Sequence, residues 1–151
     1  MTSAMSSLPM HTLRLPATLD QLARAREFVL THAPAMLEHK VDLVLEELFL
    51  NVANHAYAGG QATHADARWG EVEIACGVEP DPVSPRFHLC LTDWGPAFDP
   101  LALPAPDLQA ELEDREPGGL GVHLVKQMTS SLEYARIEDA NRLRCCFVFK
   151  E

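Results

Sequence analysis

Glu47, Asn51 and Asn54 stand four and three residues apart in the run EELFLNVANHAY, so on an α-helix their side chains share one face. A carboxylate one turn from an amide oxygen suits phosphoryl chemistry. The amide oxygen is a hard ligand for Mg²⁺, which keeps water and phosphate oxygens at its other positions, and the carboxylate can orient or deprotonate a nucleophile. His55 borders the same face, and Glu46 reads as a bystander. The spacing alone also describes a solvated polar helix face. A further carboxylate, Asp93, leaves the apolar run FHLCLT into Trp94-Gly95-Pro96-Ala97-Phe98-Asp99-Pro100. At a sheet rim it can accept a hydrogen bond from an exocyclic amine such as that of adenine, although Asp-x-Gly is equally an ordinary strand-ending turn. Third, Gly118-Gly119-Leu120-Gly121 precedes a helix-compatible segment, where glycines let backbone N–H groups approach phosphate oxygens and the helix dipole adds to the attraction. No Gly-Lys-Ser/Thr follows and no strand precedes, which disfavours P-loop and dinucleotide-binding folds.

These groups need elements to hold them. The strongest helical pattern runs from about Glu38 to Ala58, with Val41, Val44, Leu45, Leu48, Val52 and Ala56 as its apolar stripe and Gly59-Gly60 as its stop. Ahead of it, HTLRLP (His11 to Pro16) alternates as a short strand, and Leu19, Leu22, Ala23, Arg26 and Val29 fall at helical spacing before Pro34. Gly70 to Pro80 and Pro85 to Asp93 read as an antiparallel hairpin. Between Trp94 and Gly119 five prolines interrupt the chain and Arg115 is the only cation among six acidic residues, the character of a lid or binding loop. VHLVKQMTS then forms a helix, and SLEYARIE and NRLRCCFVFK form a strand pair across the turn Asp139-Ala140-Asn141. Such grouped elements predict an α+β two-layer sandwich, helices on one face of a mixed, largely antiparallel sheet.

Composition narrows the function. With 12 Lys+Arg against 22 Asp+Glu the 151-residue chain carries a net charge of −10, which argues against direct binding to nucleic acid or anionic membrane. The start MTSAMSSLPM has neither a cationic n-region nor an apolar h-region, and no apolar run approaches the ~18 residues of a membrane span, so a cytoplasmic protein is expected. Cys76, Cys90, Cys145 and Cys146 form no CxxC pair and are expected to be core thiols. Residues 1–9 are read as a flexible N-terminus and 10–151 as one domain with a lid at about 95–119.

Taken in order, EELFLNVANHAY, TDWGPAFDP and GGLGVHLVKQM resemble the N, G1 and G2 boxes of the histidine-kinase-like ATPase superfamily, the Bergerat fold shared with gyrase and sensor kinases. Within it the chain is most similar to the small bacterial anti-sigma factor/serine-protein kinases of partner-switching systems, and SLEYARIEDANRLRCCFVF resembles their closing hairpin, with Asn141-Arg142-Leu143 at the turn. The resemblance implies ATP and Mg²⁺ as cofactors, Glu47 as general base, Asn51 as metal ligand and Asp93 as the adenine-reading carboxylate. It further implies nucleotide contacts from Asn54, His55, Gly95 and Ala97, and from Arg115, Gly118, Gly119, Leu120, Gly121 and Val122 along the lid and second glycine box. The implied partners are a small anti-sigma-factor antagonist with a phosphorylatable serine and a sigma factor or similar regulator; a homodimer is implied by the resemblance alone. The chain departs from the pattern at Pro96 and Ala97, where the G1 turn is usually richer in glycine, and at Ser130, where an Asp is common. The rival reading is a nucleotide-binding protein that inhibits its partner without catalysis.

Overall fold

Five strands build one sheet with a buried face. In β1 (His11–Pro16), β2 (Glu71–Glu79), β3 (Arg86–Asp93), β4 (Ser131–Ile137) and β5 (Ala140–Val148) the side chains of Leu15, Val72, Ile74, Phe87, Leu89 and Phe147 turn to one face and are at most 2 % exposed, as a period of two requires. The computed structural model describes residues 10–57, 68–102 and 119–150, with only the backbone for 119 and 120. Strand order is β1-β2-β3-β5-β4.

Every described pairing is antiparallel, which corrects the expectation of a mixed sheet. The reason is topological. β3 and β4 run parallel, as the crossover between them demands, but they are not neighbours: β5 returns from β4 and fills the gap, pairing with both. Pro16 ends an edge strand, where its missing N–H costs no ladder bond.

The second layer consists of α1 (Leu22–His32), α2 (Glu38–Asn51) and α3 (Gly119–Met128). The apolar stripe of α2 packs on the sheet as its spacing predicts, with Val41, Val44, Leu45, Leu48 and Phe49 buried. In α1 the phase differs: Ala25 and Val29 are buried, whereas Leu19 is 58 % exposed. Leu19–Gln21 is a 3-10 turn, and three residues per turn throw a stripe counted at 3.6 out of register. Arg26, exposed beside that stripe, makes a two-pronged ion pair with Asp42 (2.8 and 2.9 Å) that ties α1 to α2. All four cysteines are buried free thiols; burial pushes the Cys76 thiol up to about 12. No described helix is long and apolar enough to cross a membrane.

Candidate active site

The end of α2 decides which of its polar residues face inward. Its last turn, Val52–Ala56, is π-helical. The extra residue per turn winds the chain less per position, so His55, four on from Asn51, comes under it, while Asn54, three on, falls short. Asn51 and His55 line a cavity of about 530 Å³ that also takes in Asp93, Ala97 and Val122. Asn54 is exposed and outside that lining, so the shared face expected from uniform α-helical spacing does not hold for it.

Tyr57 pins this helix end to the sheet. Its hydroxyl donates to the Glu71 carbonyl (2.6 Å) and accepts the Trp94 N–H (2.9 Å). Burial pushes the phenol up to about 12, so it stays a donor at neutral pH. The turn after β3 then passes so close to α2 that a Cβ on Gly95 would overlap the Ala56 carbonyl oxygen. Because that obstacle is backbone, Gly95→Ala is expected to cost about 1–3 kcal/mol, read as a lower midpoint in thermal unfolding without ligand. An unchanged midpoint would contradict the close approach.

Asp93 closes the floor of the cavity. Its Oδ1 accepts from the Gly95 N–H and the Asn141 amide, both at 3.0 Å, and Oδ2 has no hydrogen-bond partner among the described residues. Burial pushes the Asp93 carboxyl above its ordinary value, against the Asn141 and Gly95 hydrogen bonds and the nearby Arg136 charge. Around this acceptor the lining is mainly apolar, with Leu48, Val52, Leu91 and Leu143 among its members. The size and mixture are those of a small-molecule site with few convergent polar groups.

Two elements meet beside the cavity residues Leu48 and Val122. A Cβ on Gly121 would overlap the Glu47 carboxylate, so the second glycine box of α3 lies directly against the α2 carboxylate. Glu47 is partly exposed and makes no hydrogen bond among the described residues, leaving its oxygens available. Gly119 is the first residue of α3, so the glycine cluster does open a helix; the first backbone N–H groups of a helix lack partners within it. Leu120 is described by its backbone only, and Arg115 and Gly118, with most of the expected lid, lie outside the described residues. Ser130 is used structurally: its Oγ accepts the Val148 N–H (3.0 Å) and its own N–H donates to Cys146 (2.8 Å), joining the exit of α3 to β5.

Three residues of the site escaped sequence reasoning. Asn141 belongs to β5 opposite Asp93, not to the turn, which is Glu138-Asp139 with Glu138 at φ 55°. Its Nδ2 donates to Asp93 Oδ1 and to the Pro96 carbonyl (2.9 Å), and its Oδ1 accepts from the Tyr134 hydroxyl (2.6 Å) and the Phe98 N–H (3.2 Å). Arg136 donates to the Gly95 carbonyl (2.8 Å) and to Asn141 Oδ1 (3.2 Å). The available signal was the tight turn: a two-residue connection between SLEYARI and ANRLRCC places Asn141 in the ladder.

A family model for the histidine kinase-like ATPase domain matches residues 15–147. Among curated proteins the chain is similar to the serine/threonine-protein kinase BtrW of Bordetella bronchiseptica, 29 % identical over 111 residues that make up 72 % of this chain and 69 % of that protein.

Proposed function

The chain belongs to the histidine kinase-like ATPase family, and from that premise we propose that it is an ATP-dependent protein-serine kinase acting as an anti-sigma-type regulator, which phosphorylates a small antagonist protein and otherwise holds a sigma factor or similar regulator. Family membership makes ATP the ligand of reference. The observation that carries the reading is the contact between α2 and α3: the Glu47 carboxylate lies against Gly121, and their chain neighbours Leu48 and Val122 line the cavity that contains Asp93. One end of such a site can take a base and the other a phosphate chain.

The residues present fit Mg-ATP. The apolar walls suit a purine, the Asp93 carboxylate suits its exocyclic amine, and Asn51 offers a hard oxygen beside Glu47 for a Mg²⁺ ion whose remaining ligands are water and phosphate. Mg-ATP, when bound, supplies the transferable phosphoryl group with part of its charge neutralised. The chain then has three tasks. Asp93 fixes the base. The N–H groups at the start of α3 approach phosphate oxygens. Glu47 would orient the incoming serine hydroxyl and take its proton as the serine oxygen bonds to the transferred phosphorus and ADP leaves.

Gly121→Ala tests the meeting of α2 and α3. The new methyl group displaces only the flexible end of Glu47, so folding stability should stay near that of the parent while phosphoryl transfer falls by about 10²-fold, the cost of a roughly 1 Å misplacement. Parental transfer rates in this variant would remove Glu47 from the reacting centre. The reading as a whole is tested by recovering proteins that co-purify from the native host and asking whether the pure chain with Mg-ATP phosphorylates one of them on serine. Nucleotide-dependent partner binding with no transfer would instead identify a non-catalytic inhibitor.

A further inference from the structure

Asp93, Asn141 and Arg136 stand side by side across three strands, since Asp93 pairs in register with Asn141 and Asn141 with Arg136. The middle member is only 7 % exposed, and its orientation is dictated by chemistry. Nδ2 faces acceptors alone: the Asp93 carboxylate, the Pro96 carbonyl and, at 3.4 Å, the Gly95 carbonyl. Oδ1 faces donors alone: the Tyr134 hydroxyl, the Phe98 N–H and Arg136. A flipped amide would set oxygen against three acceptors. One side chain thus organises both the floor carboxylate and the turn that follows it.

We propose that Asn141 is the positioning residue for base discrimination: by saturating Asp93 Oδ1 it leaves Oδ2 as a fixed acceptor toward the cavity, so the site takes a 6-amino purine and rejects a 6-oxo purine. The inference rests on the reading of the cavity as an ATP site with the base at Asp93. With Asn141 truncated, the carboxylate keeps only the Gly95 N–H. It can then rotate, and in its buried position it takes up a proton more readily. A protonated carboxyl offers an O–H, which suits the oxygen of a 6-oxo purine as well as its carbonyl oxygen suits an amine. Among the described residues, the titratable and charged groups around Asp93 are Arg136 and Tyr134 from β4, and Tyr57 and His55 from the end of α2. None replaces the amide donor.

The experiment is calorimetric titration of the full chain with ATP and with inosine triphosphate, both with Mg²⁺, for the parent, Asn141→Ala and Asn141→Leu. The last keeps the side-chain volume and adds no charge beside Asp93 while removing the donor to it, so it reports even if the alanine variant does not fold. The parent should prefer ATP, and the ATP-to-inosine-triphosphate affinity ratio should fall at least about tenfold in each folded variant. A parallel loss of both affinities with the ratio unchanged would overturn the proposal and reduce Asn141 to scaffolding. Equal affinities in the parent would show up before any substitution and would overturn the base-reading role of Asp93 together with the proposal.

Discussion

Replacing Glu47 by alanine is expected to slow phosphoryl transfer to a serine substrate by about 10²–10⁴-fold and to leave ATP affinity within about threefold of the parent. A general base acts as the proton leaves the nucleophile, so its contribution falls in the transition state and hardly in ground-state binding. The geometry permits this separation. Glu47 lies beside the buried stripe of α2, not in it, and its carboxylate is outside the lining of the cavity that would take the base. It has no hydrogen bond among the described residues that truncation would break, so the fold should tolerate the change. Single-turnover transfer separates chemistry from product release, and calorimetry gives the affinity. If the alanine variant transferred at the parental rate with chemistry rate-limiting, the base would have to be another group.

What made Glu47 legible in the sequence is that α2 is regular where Glu47 and Asn51 sit. The stripe Val41, Val44, Leu45, Leu48 sets the helix phase, and the phase sets the azimuth of the polar residues beside it. The same reasoning failed one turn later, at Asn54, because a π-helical turn is a tertiary compromise and has no periodic signature. The contacts that flank it are visible only in the assembled fold, where Tyr57 is held by Glu71 and Trp94 and the Ala56 carbonyl crowds Gly95. Asp93 and Gly95 were recognisable from a strand running into a turn. Asn141, Tyr134 and Arg136 were not, because their significance comes from register: they act on Asp93 from 41 to 48 positions away in the chain, through pairing across β3, β5 and β4. Likewise, chain order alone does not reveal that β5 separates β3 from β4. Local pattern identified the elements and two sides of the candidate site, and strand pairing supplied the rest.

Asp93→Asn should abolish most ATP binding and, at the same time, make the ligand-free protein more stable. The first effect follows from chemistry at the cavity floor. Asparagine can keep its oxygen on the Gly95 and Asn141 donors, which leaves an NH₂ where Oδ2 had been, and an adenine amine then meets a donor in place of an acceptor. One unsatisfied buried pair of this kind costs about 1–3 kcal/mol, so the affinity should fall by roughly 10- to 100-fold. The second effect follows from linkage. Burial, the leading cause, raises the folded-state pKa of Asp93 above its ordinary value. A raised pKa means that the folded protein binds the proton more tightly than the unfolded chain does, so this group's stability contribution is complete below the unfolded value and is lost as pH rises through the folded one. At neutral pH, above the unfolded value, holding this carboxyl in its buried place is therefore a cost that the neutral amide does not carry. The melting midpoint of Asp93→Asn without ligand should exceed the parent's near pH 7, by about 2–4 °C for each ~1 kcal/mol relieved in a domain of this size, and the gap should close as pH falls below the folded-state pKa. ATP affinity of the parent should weaken over that same fall in pH, because the protonated carboxyl gives up its role as a pure acceptor. Melting curves across pH for both proteins, with calorimetry of the parent, check each part. A variant that lost ATP binding yet was less stable than the parent at pH 7 would show that the carboxylate holds the G1 turn together more than its burial strains it.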